Sequence, residues 1–124
     1  MPLLENAFTT LPLFTTTTIK ATGATTLVGS VGANLSVVIL DINVNNQTNT
    51  TGYMEMTFRE GAAGTLHYRM YSPSTGANVF QKSFQMEPWI LDTNASFYAV
   101  MSVTAASSPA AEVTVMYRIL DRTK

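Results

Sequence analysis

In the stretch DINVNNQTNTTG, the alternate residues Asp41, Asn43 and Asn45 stand at the first three ligand positions of a calcium loop, in which spaced oxygen donors converge on one hard cation. The glycine such a loop needs for its sharp turn is replaced by Asn46, and the closing bidentate glutamate by Gly52. Two parts of the loop chemistry are missing, so no metal site is expected. Alternate residues of a strand share a face, and the same letters read as an outward polar row leading into an Asn/Thr turn. Asn34, Asn46, Asn49 and Asn94 each begin an Asn-x-Ser/Thr sequon, a pattern that a chain rich in Asn and Thr produces by composition alone.

Catalytic constellations are equally thin. A nucleophilic triad needs a base, and the sole histidine, His67, falls mid-strand with no nucleophile motif anywhere in the chain. Glu55, Glu60, Glu87 and Asp92 could supply a carboxylate pair for glycoside hydrolysis, but no spacing singles out two of them. GAAG and TGAT lack the lysine and the strand-to-helix setting of a phosphate loop. The chain is not expected to be an enzyme, and no cofactor is implied. Tyr53, Tyr71 and Trp89 could form a stacking platform for sugar rings, although Trp89, within EPWIL, is expected to plug one end of the core.

The elements that would position these residues follow from length and pattern. At 124 residues the chain is one domain with a single core. Hydrophobic residues make up 46% and charged residues 12%, about half the usual charged share, so Thr, Ser, Asn and Gln must form most of the polar surface. With net charge -1 there is no electrostatic footprint for nucleic acid and no basic run for an anionic membrane. Cysteine is absent, which excludes disulfide staples and thiolate metal sites. The opening MPLLENAFTTLPLF has no basic region and is interrupted by Glu5 and Asn6, a pattern that predicts no secretory leader and cytoplasmic synthesis. No segment approaches the roughly 20 apolar residues that span a bilayer.

A period of two runs through nearly the whole chain and predicts about eight strands. They are placed at Leu13 to Lys20, Thr25 to Ser30, Leu35 to Asn45, Gly52 to Arg59, Thr65 to Tyr71, Asn78 to Met86, Ser96 to Ala105 and Glu112 to Asp121. One sheet of that size would leave an apolar face wet, so the expected fold is all-β: a single-domain antiparallel β-sandwich, with the jelly roll as one winding that such a sandwich takes. Two hairpins are predicted. One pairs Phe58 with Leu66 and sets Glu55 across from Arg69. The other pairs Phe97, Ala99, Met101 and Val103 with Ile119, Tyr117, Val115 and Val113. Leu35 to Leu40 is apolar on both faces, as a central strand or a strand covered by a neighbouring subunit would be. Residues 1–14 read as an arm or edge strand and 15–124 as the sandwich. In the arm, Leu3, Leu4, Phe8, Leu11 and Phe14 are interleaved with Pro2 and Pro12, and are candidates for contact with a partner.

The segments SVVILDINVNNQTNTTGYMEMTF, FQMEPWILDTNASFYAVMSV and VTVMYRILD together resemble small β-sandwich proteins of tailed-phage virions, over roughly residues 25 to 121. That resemblance implies a head decoration or cement protein on the capsid surface, an oligomer with a trimer favoured. It would clamp the major capsid protein or other virion subunits without catalysis. The competing class is a carbohydrate-binding module presenting Tyr53, Tyr71 and Trp89.

Overall fold

A computed structural model describes residues 11–20, 22–46, 53–61, 66–73, 78–101 and 111–123, with backbone alone at 46, 53, 54, 66, 67, 71–73, 78 and 80. Among these residues there are nine strands: β1 Leu13–Ile19, β2 Thr25–Val28, β3 Leu35–Asn46, β4 Tyr53–Glu60, β5 Leu66–Pro73, β6 Asn78–Ser83, β7 Trp89–Ile90, β8 Phe97–Met101 and β9 Ala111–Asp121. Eight match the predicted strands. The ninth, β7, is two residues long and continues along the side of β3 that β6 occupies.

The strands form two antiparallel sheets, one in the order β1-β9-β3-β6 with β7 also on β3, the other in the order β2-β8-β4-β5. The pairs β1·β9, β2·β8, β3·β6 and β4·β5 are nested one inside the next along the chain and fall alternately into the two sheets. That winding is a jelly roll. It arises because strands of period two bury one face only, and stacking the two inner faces covers both.

The core between the sheets holds Ile19, Val37, Ile39, Ile42, Val44, Val113 and Val115 from one side and Leu27, Met56, Phe58, Phe97, Ala99 and Met101 from the other. One end is closed by a circuit of rings. Phe58 stacks on Tyr68 and Phe97, Trp89 meets Phe97 edge-on at 5.0 Å, and Phe84 lies 5.7 Å from both Trp89 and Tyr68. Trp89 thus fills the end of the core, where its large apolar body is most useful.

The apolar run at Leu35 to Leu40 belongs to a central strand, with β9 on one side and β6 and β7 on the other. Its doubly apolar character has a local cause. A β-bulge between Ile39 and Asp41 inserts Leu40 as an extra residue opposite β9. Val37 and Ile39 point inward before it, Ile42 and Val44 after it, and Asp41 is thereby turned to the outer face. The outward Val38 is fully buried by its own chain, against Leu120 and Leu40. Phe84 N–H donates to the Leu40 carbonyl at 2.7 Å and ties the bulge to the next strand.

Both predicted hairpin registers are corrected. Glu55 faces Tyr71, and Arg69 faces Thr57, two residues from the expected pairing. A bulge at Phe58/Arg59, where His67 is the extra residue, absorbs the offset near the turn. A slip of two keeps Tyr68 and Met70 on the face of Phe58 and Met56, and Glu55 and Arg69 still meet diagonally at 3.0 Å, whereas past the bulge Leu66 stands opposite Arg59 instead of Phe58. The second hairpin does not form: β8 pairs with β2 and β4, whereas β9 pairs with β1 and β3. Phe97, Ala99, Met101, Val113 and Val115 are buried as expected and Tyr117 is half-buried, but the two groups meet across the core from opposite sheets.

Candidate functional site

The outer face of the β1-β9-β3-β6 sheet is built in cross-strand rows. Phe14, Met116, Asp41 and Ser83 form one row, Thr16, Thr114, Asn43 and Gln81 the next, and Thr18, Glu112, Asn45 and Val79 a third. Registers of this kind follow from one buried face per strand, since a slip by one residue would exchange Val113 and Val115 for Thr114 and Met116 in the core. Only Asp41 and Glu112 carry charge in these rows.

Across the first two rows lies a hollow of about 350 Å³ lined by Phe14, Asp41, Asn43, Gln81, Thr114 and Met116. Phe14 is 69% exposed and forms an apolar wall with Met116. Opposite that wall, Gln81 Nε2 donates to Asp41 Oδ2 at 2.9 Å. Asp41 Oδ1 is enclosed and has no hydrogen-bond partner among the described residues. Thr114, in the second row, shares a hydroxyl hydrogen bond of 3.0 Å with Thr16.

Asp41, Asn43 and Asn45 therefore lie in a line on this face rather than around a centre. Asp41 and Asn45 are four extended residues apart, roughly 13 Å, too far to share one cation at bonding distance. Among the described residues no three His, Cys, Asp or Glu side chains stand together as a metal-ligating group. Two of the four carboxylates considered for acid-base work are structurally engaged: Glu55 with Arg69, and Glu60 Oε1 as acceptor for the Asp92 N–H at 2.7 Å.

Two of the sequon asparagines have a backbone role. Asn34 and Asn94 adopt positive φ, 65° and 58°, a conformation that Asn tolerates better than most residues. Asn94 Oδ1 also accepts from Gly32 N–H at 3.0 Å, and the Asn34 carbonyl accepts from Arg122 N–H at 2.8 Å. Arg122 continues this junction, its Nε donating to the buried Ser36 hydroxyl at 2.9 Å.

Of the proposed contact residues, Leu11 is 81% exposed and Phe14 heads β1 on the sheet rim, whereas Leu3, Leu4 and Phe8 fall outside the described residues. Of the proposed sugar platform, only the Trp89 side chain falls within the described residues. Trp89 is half-buried in the ring circuit and belongs to the sheet opposite the β4–β5 hairpin, which carries Tyr53 and Tyr71. The side chains of those tyrosines lie outside the described residues. Sequence reasoning missed Gln81, Thr114 and Met116, because alternation assigns them to an outer face without saying which strands lie side by side.

No protein-family model matches the chain, and no curated protein matches it. Among solved structures it is similar to a protein of Bacillus endospore appendages, described as a novel family of disulfide-linked pili. That match has 12% identity and a TM-score of 0.46, covering 89% of this chain and 84% of the other. It is also similar to the extra small virus of the giant freshwater prawn Macrobrachium rosenbergii, solved as a virus-like particle. There the identity is 10% and the TM-score 0.44, over 88% of this chain and 76% of the other. The chain itself has no cysteine with which to form a disulfide link.

Proposed function

We propose that this chain is a structural virion protein, a capsid decoration or cement subunit that works by protein-protein contact and catalyses no reaction. The observation that carries the reading is the rim strand β1. Among the described residues it is paired on one side only, by β9, and its seven residues, LFTTTTI, include no charge and no proline. Soluble proteins usually blunt such an edge with lysine, proline, a bulge or a covering element, because its free N–H and C=O groups recruit another strand. Here the edge is uncharged and Thr-rich, and the exposed Leu11 and Phe14 stand at its start. Such an edge suits β-augmentation by, or onto, a neighbouring subunit.

The partner in this reading is the major capsid protein or another virion subunit, the location is the capsid surface, and the assembled form is an oligomer, most simply a trimer. The apolar residues Leu3, Leu4 and Phe8 extend the contact beyond the strand. With one net charge on the chain, docking should depend little on salt.

The test is to delete residues 1–12, to place charge on the edge with Thr16→Lys and Thr18→Lys, and to measure binding to undecorated capsids together with size-exclusion light scattering. Capsid binding by the full chain, lost in the deletion and weakened at least about tenfold by the edge lysines, is expected. A full chain that remains monomeric and ignores capsids overturns the proposal.

A further inference from the structure

The outer-face hollow is not needed for edge docking, and its chemistry points elsewhere. Its lining comes from β1, β9, β3 and β6, four adjacent strands that hold their side chains in fixed register. A volume of about 350 Å³ falls within the range of small-molecule sites, which pair an apolar wall with a few convergent polar groups. Phe14 and Met116 supply that wall; Asp41, Asn43, Gln81 and Thr114 supply the polar groups.

Asp41 is the informative residue. Without the bulge at Leu40, the inward alternation of Val37 and Ile39 would carry position 41 into the core. The bulge re-aims it outward, a use of bulges that recurs beside functional sites. Once outside, the carboxylate satisfies one oxygen through Gln81 and leaves Oδ1 enclosed with no donor. An enclosed acceptor without a partner is unfavourable, and the broad torsional well of an Asp carboxylate lets a small rotation bring that oxygen to a donor in the hollow.

We propose that this hollow binds a neutral sugar residue. A pyranose presents a C–H face, which fits against Phe14 and Met116, and a ring of hydroxyls, which can donate to Asp41 and exchange hydrogen bonds with Asn43 and Thr114. The carboxylate disfavours acidic sugars and phosphate esters. A lone ammonium ligand would use Asp41 and leave the amides and the hydroxyl idle. The site shares no residue with a Tyr53, Tyr71 and Trp89 platform, whose two tyrosines lie on strands of the other sheet.

The test is a nitrogen-15 and methyl NMR titration of the full chain with methyl β-galactopyranoside, methyl α-mannopyranoside and methyl N-acetyl-β-glucosaminide. Each is taken to about 100 mM, where weak single-sugar sites saturate. Saturable shifts at Asp41, Asn43, Thr114 and Met116 are expected with at least one glycoside. Asp41→Asn and Phe14→Ala, both at outward positions, should each weaken that binding at least about tenfold, and Glu55→Ala on the other sheet should leave it unchanged. The chain lacking residues 1–12 keeps Phe14, so it should still bind sugar whatever becomes of its capsid binding. Absence of shifts with all three glycosides overturns the inference, as does binding that survives both hollow variants. Shifts that follow protein concentration instead of sugar would show a second copy covering the hollow, and would also overturn it.

Discussion

Asn34 and Asn94 illustrate how one residue type can carry two readings. In the sequence both open a sequon, whereas in the fold both hold a left-handed backbone turn, and Asn94 adds a side-chain acceptor for Gly32. Asn94→Gly should restore the backbone but lose that bond, costing about 0.5–1.5 kcal/mol, and Asn94→Ala should add roughly 1–2 kcal/mol of strain. Urea unfolding of the two variants checks the order, and equal stability of Ala and Gly would remove the strain argument. Met101 is fully buried, so Met101→Ala should cost about 2–5 kcal/mol, read in the same way. The Glu55–Arg69 pair is a contrasting case. Its side chains are 32% and 45% exposed, so a double-mutant cycle should return no more than about 1 kcal/mol of coupling. Burial of individual side chains was legible because alternation is local. The turn geometry of Asn34 and Asn94 was not, since nothing in the letters distinguishes a positive φ from a sequon.

Among the elements, Leu40 shows where alternation stops being a sufficient guide. The run SVVIL seemed to need covering on both faces, but the structure resolves it into two alternations of opposite parity joined by one extra residue. Deleting Leu40 removes the extra residue and joins the two alternations into one, so Val37, Ile39, Ile42 and Val44 stay inward, Asp41 stays outward and the ladder to β9 becomes regular. The deletion is expected to keep cooperative folding, seen as a sigmoidal urea transition, while losing the Phe84 N–H bond to the Leu40 carbonyl and the packing of Leu40 on Val38. Loss of the sigmoidal transition would mean that the fold requires the bulge itself. Strand boundaries were legible to within a few residues, and Met56, Phe58, Phe97, Ala99, Met101, Val113 and Val115 point inward as alternation assigned them. Partner choice was not legible: β8 and β9 are successive strands with matching faces, yet they lie in opposite sheets. Period two records which way a residue points and carries no information about which strand lies beside it.

Across the whole molecule, the ring circuit of Phe58, Tyr68, Phe84, Trp89 and Phe97 joins one sheet to the other. Trp89 is the single tryptophan of the chain, so its fluorescence reports on contact between the sheets. Fluorescence and far-ultraviolet circular dichroism should give coincident unfolding curves, as expected of one cooperative unit. A fluorescence change that precedes loss of strand signal would show the sheets parting first. The sandwich class was legible from composition and period. The hollow was not, because its six residues come from four strands whose adjacency only the nested winding creates. That winding also bears on how the protein is made. β9 comes after every other described strand, yet it sits between β1 and β3 and pairs with both, Leu13 with Tyr117 and Leu35 with Asp121. On the ribosome, β1 and the long β3 are therefore synthesised well before the strand that separates them, and their facing edges wait unpaired until β9 leaves the exit tunnel. A nascent chain stalled short of Ala111 should be protease-sensitive and prone to associate with its neighbours on a polysome, whereas emergence of β9 closes the sheet in one late step.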